Sequence, residues 1–349
     1  MQKVLAAALV TVAVTLGPAL AAPMRLVETG STLLYPLFNE WVAVYGKNHA
    51  DVQITTQGTG SGTGISQAVA GVAQIGASDA YMSDSQLAQT KVLNIPLAIS
   101  AQQINYNIAG LGDTHLRLSG PVLAGIYGGT VRYWDDPQIL ALNPHDRGKL
   151  PHQAIVPIHR ADGSGDTFIF TQYLSFTTPS WKANPGFGTS IAWPAVPNAI
   201  GAQGNPGMVQ SCKSTPYSIA YIGVSFLNRT NQAGLGYAAL RNRDGNFVLP
   251  TQENVAAAAE SMVAKTPKDE RISLIFAPGR NSYPIINYEY AIVNPKQPDG
   301  DTAKALKEFL GWAISKGGGN SAQFLDSVHF IALPDSIVKL SKEQIEQIG

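Results

Sequence analysis

Cysteine is almost missing from this chain. Cys212 stands alone among 349 residues, so no intrachain disulfide can form. A catalytic thiol needs exposure and a basic partner, whereas Met208-Val-Gln-Ser-Cys-Lys-Ser214 reads as a helix end. Charge is scarce too: 14% of residues are charged, 24 basic against 24 acidic, with no Lys/Arg cluster. Nucleic-acid binding normally requires a basic face, so that class is disfavoured. The six histidines (His49, His115, His145, His152, His159, His329) show no tight metal-ligand spacing and read as surface or structural residues. Beyond residue 22 no apolar run reaches the roughly 20 residues that cross a bilayer.

Several catalytic signatures are missing as well. The glycine run Gly58-Thr-Gly-Ser-Gly-Thr-Gly64 places Gly58 and Gly60 in register for G-x-G-x-x-G but has Thr63 at the last glycine, and it lacks the lysine of a P-loop. Dinucleotide and NTP binding are therefore disfavoured. Neither Ser61 nor Ser164 lies in G-x-S-x-G, because Thr59 and Asp162 stand two residues before them.

What is present begins with a leader pattern. Met1-Gln2-Lys3 is a short basic start, Val4 to Leu16 is apolar, and Pro18-Ala-Leu-Ala-Ala22 offers small-residue cleavage sites. Residues 1–22 are expected to be a cleaved signal peptide. No cysteine follows the apolar stretch, so a lipid anchor is not expected and the mature chain should be soluble in the periplasm.

The next third alternates strand and helix. Met24–Val27, Asp51–Thr56 and Gln74–Ala77 read as strands. Ser31 to Tyr45 reads as a helix, with Leu34, Leu37, Phe38, Trp41 and Tyr45 on one face and Ser31 as N-cap. Ile65 to Val72 is a second helix. This βαβαβ order predicts a parallel sheet with ligand chemistry at the carboxyl ends of its strands. From about 110 to 280 loops lengthen and prolines accumulate, with strands at 154–159 and 218–223 and a helix at 122–127. Helices are expected at 302–318 and at 335–348, the latter capped by Asp335. Extended segments at 98–108 and 283–293 are candidates for two strands crossing between lobes. On that reading lobe 1 is discontinuous, 23–103 plus 286–349, and lobe 2 is 104–285. The fold class is α/β, and a two-stranded hinge over a cleft is the layout of a type II solute-binding protein.

Three strand–loop–helix junctions share one character: Glu28-Thr-Gly-Ser-Thr-Leu33, Gly58 to Gly64, and Arg160-Ala-Asp-Gly-Ser-Gly-Asp-Thr167. Each offers hydroxyls and unpaired backbone N–H groups at a helix start, which suits an anion. Asp79, after the short strand in Gly76-Ala-Ser-Asp-Ala80, reads either as a strand-end cap or as an acceptor. An anion meets such an acceptor only by donating a proton. Protonated phosphate species can do so near neutral pH and sulfate cannot, so a buried Asp79 would select between them. Its charge calls for a cation, and Arg160 is the candidate.

The segments Glu28-Thr-Gly-Ser-Thr-Leu-Leu-Tyr-Pro-Leu-Phe38, Gln57-Gly-Thr-Gly-Ser-Gly62, Ile75-Gly-Ala-Ser-Asp-Ala80, Thr130-Val-Arg-Tyr-Trp-Asp-Asp-Pro137, Arg160-Ala-Asp-Gly-Ser-Gly165 and Tyr283-Pro-Ile-Ile-Asn-Tyr288 span nearly the whole mature chain in order. In them the chain resembles the PstS-type phosphate-binding proteins, the periplasmic component of phosphate ABC transporters. The resemblance implies a phosphate site made by Ser31, Thr32 and Leu33 (the last through its backbone N–H), Ser61, Asp79 paired with Arg160, and Ser164, Gly165 and Asp166. It implies no cofactor, no metal and no catalysis. Its implied partners are the permease and ATPase subunits of the transporter, for a monomeric binding protein. Many relatives carry threonine where Asp166 stands, while others, similar to mycobacterial members, carry aspartate. The rival readings are a binder of another oxyanion, which Asp79 disfavours, and an exported phosphatase, for which no activated nucleophile or metal pair is evident.

Overall fold

The computed structural model describes residues 23–111 and 114–349; the expected leader lies outside the described residues. Strands β1 (Met24–Gly30), β2 (Val52–Gly58) and β3 (Ile75–Ser78) are joined by helices α1 (Tyr35–Asn48) and α2 (Ser61–Val69). β1 lies between β2 and β3 and runs parallel to both, as the alternating pattern predicts. In α1 the expected stripe of Leu37, Phe38, Trp41 and Tyr45 is buried. The helix proper starts at Tyr35, with Pro36 in its first turn, where a missing N–H costs nothing. The expected Ser31 cap is not found: Leu34 holds the cap position without a side-chain cap, and Ser31 lies in the preceding turn, its Oγ accepting from the N–H groups of Leu33 (3.1 Å) and Leu34 (3.0 Å).

The other strands of the main sheet are β4 (Leu93–Tyr106), β5 (Val156–Arg160), β6 (Ile200–Ala202), β7 (Ser218–Gly223), β8 (Gly236–Tyr237) and β9 (Ile286–Val293), apart from a small three-stranded sheet at Arg117–Leu118, Ala239–Arg241 and Phe247–Val248. All nine form one sheet in the order β2-β1-β3-β9-β4-β7-β5-β6, with β8 paired to β4. Every residue of β4 is buried. Its residues 93–101 pair antiparallel with β9, and residues 102–106 pair antiparallel with β7. Beyond β7 the sheet is parallel again, β5 lying between β6 and β7. Helix α3 (Gly165–Thr177) follows β5, and α4 (Gly204–Ser214) follows β6.

Of the two segments expected to cross between lobes, β4 alone carries ladder pairing in both parts of the sheet. β9 pairs only with β3 and β4. The chain leading into β9 stays against β4, because Gln102 N–H donates to Ile285 O (3.0 Å) and Tyr283 Oη donates to Gln102 O (2.8 Å). Helix α5 (Gly300–Ala313) then returns to the amino-terminal unit. Its Phe309 ring meets Tyr45 edge-on at 5.1 Å, and Trp312 meets Trp41 at 6.3 Å. Aromatic pairs of this kind add about 0.5–1.5 kcal/mol each beyond burial.

A second cap expectation also needs correction. Asp335 does not cap the last helix, α6 (Asp335–Ile345). Pro334 holds the cap position, and Asp335 sits in the first turn, where its charge opposes the helix dipole and pairs with Lys316 at 2.7 Å. Among the helices that the pattern did not predict are Asp84–Thr90 and Gln252–Val263. Both carried signals: a Ser83/Gln86 capping box, and Thr251 accepting from Asn254 N–H. Among the described residues no helix is long and apolar enough to cross a membrane.

Candidate anion-binding site

The carboxyl ends of β1, β2, β3 and β5 converge, and all nine residues assigned to the site from sequence are buried there. Chain geometry enforces the approach. Gly30, at φ 143°, lies so close to β3 that a Cβ would come within 2.9 Å of Ala77 backbone atoms. The same contact lets Ser31 N–H donate to Ala77 O at 2.8 Å, which sets the first loop over the end of β3.

Asp79 sits just beyond β3. Ser31 Oγ donates to its Oδ1, and Ser61 Oγ, at the start of α2, lies 3.4 Å from its Oδ2 and accepts from Asp79 N–H at 3.3 Å. The third loop closes on the second: Gly62 N–H donates to Gly163 O at 2.8 Å. Ser164 caps α3, its Oγ accepting from Thr167 N–H at 3.2 Å. Gly165 stands directly over the aspartate, where a Cβ would overlap Asp79 Oδ2 and lie 2.6 Å from Ser61 Oγ. On the first loop, Thr32 Oγ1 accepts from the backbone and side-chain N–H groups of Asn205, both at 3.0 Å. Leu33 N–H is turned to Ser31 Oγ, and Leu33 O accepts from Ser225 Oγ at 2.7 Å.

Arg160 departs from expectation. Its guanidinium is paired with Asp162, through Nε (2.7 Å) and the neighbouring terminal nitrogen, and with Asp166 Oδ2 at 2.6 Å. It makes no ion pair with Asp79. The reason is local: Asp162 and Asp166 lie two and six residues further along the same strand–loop–helix junction and meet the planar fork first. Burial works against the Arg160 charge, but these carboxylates more than offset it and hold the guanidinium firmly protonated. Burial would raise Asp162, yet Arg160 and Gly204 N–H hold it below the usual carboxylate range.

The other acids move upward. Burial pushes Asp166 up to about 7, helped by the Asp79 charge and resisted by Arg160, Gln102 and Asn205. Gln102 Nε2 donates to Asp166 Oδ1 (3.1 Å) and Asn205 Nδ2 to its Oδ2 (2.7 Å). Asp79 rises well above its ordinary value, first through burial and then through the neighbouring Glu289. One guanidinium thus serves several buried carboxyls, pairing with Asp162 and Asp166 and acting on Asp79, while Glu289 adds a further buried acid. Such a site accepts an anion by hydroxyls, helix amino termini and retained protons more than by net positive charge.

Sequence reasoning missed three participants. Asn205 bridges Thr32, Asp166 and, through Oδ1, Gly223 N–H at 2.9 Å. It stands just after β6 and Gln203, in the first turn of α4, a fourth strand–loop–helix junction of the same kind. Gln102 and Glu289 sit inside buried strands, where nothing in the pattern separates a site residue from a core one. Cys212 is buried and its thiol is pushed up to about 11 by that burial. That leaves it unsuited to nucleophilic work.

The comparisons with known proteins agree with this architecture. The description "PBP superfamily domain" matches residues 17–316. A phosphate-binding protein PstS of Methanocaldococcus jannaschii is 34% identical over 337 residues, covering 92% of this chain and 85% of its own. One from Xylella fastidiosa is 32% identical over 316 residues, covering 90% and 83%. Among solved structures, a high-affinity periplasmic phosphate-binding protein bound with phosphate superposes with a TM-score of 0.72 at 19% identity, over 92% of this chain and 93% of that one. A phosphate-binding protein from Stenotrophomonas maltophilia gives 0.71 at 17% identity, with the same coverage. The fold is the type II solute-binding fold. The chain belongs to the PBP superfamily and, within it, to the PstS-type phosphate-binding proteins.

Proposed function

We propose that this protein binds inorganic phosphate between two lobes, 23–103 with 286–349 and 104–285, and delivers it to an ABC-type permease and its ATPase. The ligand set is Ser31, Thr32, Leu33, Ser61, Asp79, Arg160, Ser164, Gly165 and Asp166. The protein works as a soluble periplasmic monomer once the leader is removed, and it performs no covalent chemistry. The observation that carries this reading is the burial of Asp79 where three hydroxyl-bearing, helix-opening loops meet. An ionised Asp79 is an acceptor that only a proton-bearing oxyanion satisfies, and burial strengthens every hydrogen bond made to the charged ligand.

Calorimetric titration with phosphate, sulfate and molybdate near neutral pH tests it. Phosphate should bind tightly and sulfate weaker by about 10⁴-fold, the discrimination expected when a buried polar group is left unpaired. Equal affinity for sulfate would point to another oxyanion as the natural ligand. Turnover of a phosphate ester without tight phosphate binding would point to a phosphatase.

A further inference from the structure

Glu289 lies on β9, next to the strand that delivers Asp79. In the antiparallel register Tyr290 stands opposite Ser78. Continued one step past Ser78, the last residue of β3, that register brings Glu289 beside Asp79, and residues opposite each other across a ladder project to one face. Each carboxyl shifts the other's ionisation, as close neighbouring acids do. Glu289 is buried, and its Oε1 is fixed by Ser100 Oγ (2.5 Å) and Asn287 Nδ2 (3.1 Å). The same Asn287 amide donates to Asp79 O at 3.3 Å, which ties the two residues together. Glu289 Oε2 is buried, and no N–H or O–H of the described residues donates to it. Two neighbouring buried carboxyl groups cannot both be ionised at low cost, so such a pair keeps one proton between them.

Resting on the phosphate reading above, we propose that Glu289 is a positioning residue: it holds a proton in common with Asp79, so that Asp79 keeps an acceptor oxygen for the ligand's P–OH. This role replaces the Arg160 pairing, since that guanidinium is committed to Asp162 and Asp166. The charged and titratable groups facing the pair are Asp166 on α3 and Arg160 on β5, with Asp162 beyond the guanidinium. Arg160 favours ionisation of Asp79, whereas Asp166 disfavours that of Glu289. Burial raises Glu289, so the shared proton survives to neutral pH and is lost in alkali. Loss of it adds an uncompensated negative charge beside an anionic ligand.

Glu289→Gln keeps the shape and supplies a fixed N–H donor, and Glu289→Leu removes the donor. Phosphate affinity and proton uptake are measured by calorimetry in two buffers of different ionisation enthalpy, at about pH 6.5 and about pH 9, with thermal melts confirming folding. The intact protein should lose affinity about tenfold or more between the two pH values and take up protons on binding at the higher one. Glu289→Gln should bind about threefold more weakly at the lower pH, lose less on going to the higher, and take up measurably fewer protons. Glu289→Leu should be weaker than Glu289→Gln at both. A Glu289→Gln profile and proton count parallel to those of the intact protein overturn the inference, whether or not Glu289→Leu folds. Absence of phosphate binding by the intact protein at either pH overturns the phosphate reading and this inference with it.

Discussion

A methyl group at position 165 would overlap Asp79 Oδ2 and come within 2.6 Å of Ser61 Oγ, so Gly165 is required by what faces it across the site. Gly165→Ala should weaken phosphate binding about 100-fold, the cost of holding the two walls apart, and lower the melting temperature of the ligand-free protein little. Unchanged affinity by calorimetry would contradict this role of Gly165. Asp166 gives a second test at this scale. Its buried carboxyl, raised to about 7, is protonated below that pH and charged above it. Phosphate affinity should therefore fall as pH rises through about 7, and more steeply than in Asp166→Thr over a titration from about pH 5 to about 8.5. The ligand's own ionisation is common to both proteins and cancels in the comparison.

Among elements, the last helix is fastened by an acid outside the site. Glu270 is buried and accepts from Ser341 Oγ (2.9 Å) and Gln344 Nε2 (2.6 Å), both on α6. Burial pushes it from an ordinary 4.5 to about 8. Between those values the folded state holds a proton that the unfolded chain has released, so stability falls as pH rises from about 4.5 to about 8 and levels off above. Glu270→Gln should flatten that decline and raise the melting temperature at about pH 8.5 by about 3 °C or more, seen by scanning calorimetry. Ser341 can reverse its hydroxyl to accept from the new amide, so the contact survives. Elements also separate what the sequence pattern could and could not reveal. The βαβαβ unit and the stripe of α1 were legible because each buries one face and therefore repeats with a fixed period. β4 was found but misplaced by several residues at its start, because a strand buried on both faces shows no alternation to mark its limits.

For the whole molecule, the decisive contacts join residues far apart in sequence. Asn205 reaches Thr32, 173 residues away, as well as Asp166, and Ser225 reaches Leu33. Asn205→Ala removes hydrogen bonds to a charged group and to the first loop. It should weaken phosphate binding about tenfold to a hundredfold and reduce ligand-induced compaction in small-angle scattering. The class of chemistry was readable along the chain. Hydroxyl-rich loops at helix starts, an acid after a strand, one arginine and no basic cluster define an anion site, because helix amino termini and strand ends are local consequences of local sequence. The pairing of the charged groups was set by packing in three dimensions. Arg160 turned to Asp162 and Asp166, and Glu289 came to lie against Asp79. A charge buried in a low-dielectric interior takes its partner from the nearest donor or proton in space, and strand order alone brings β9 beside β3.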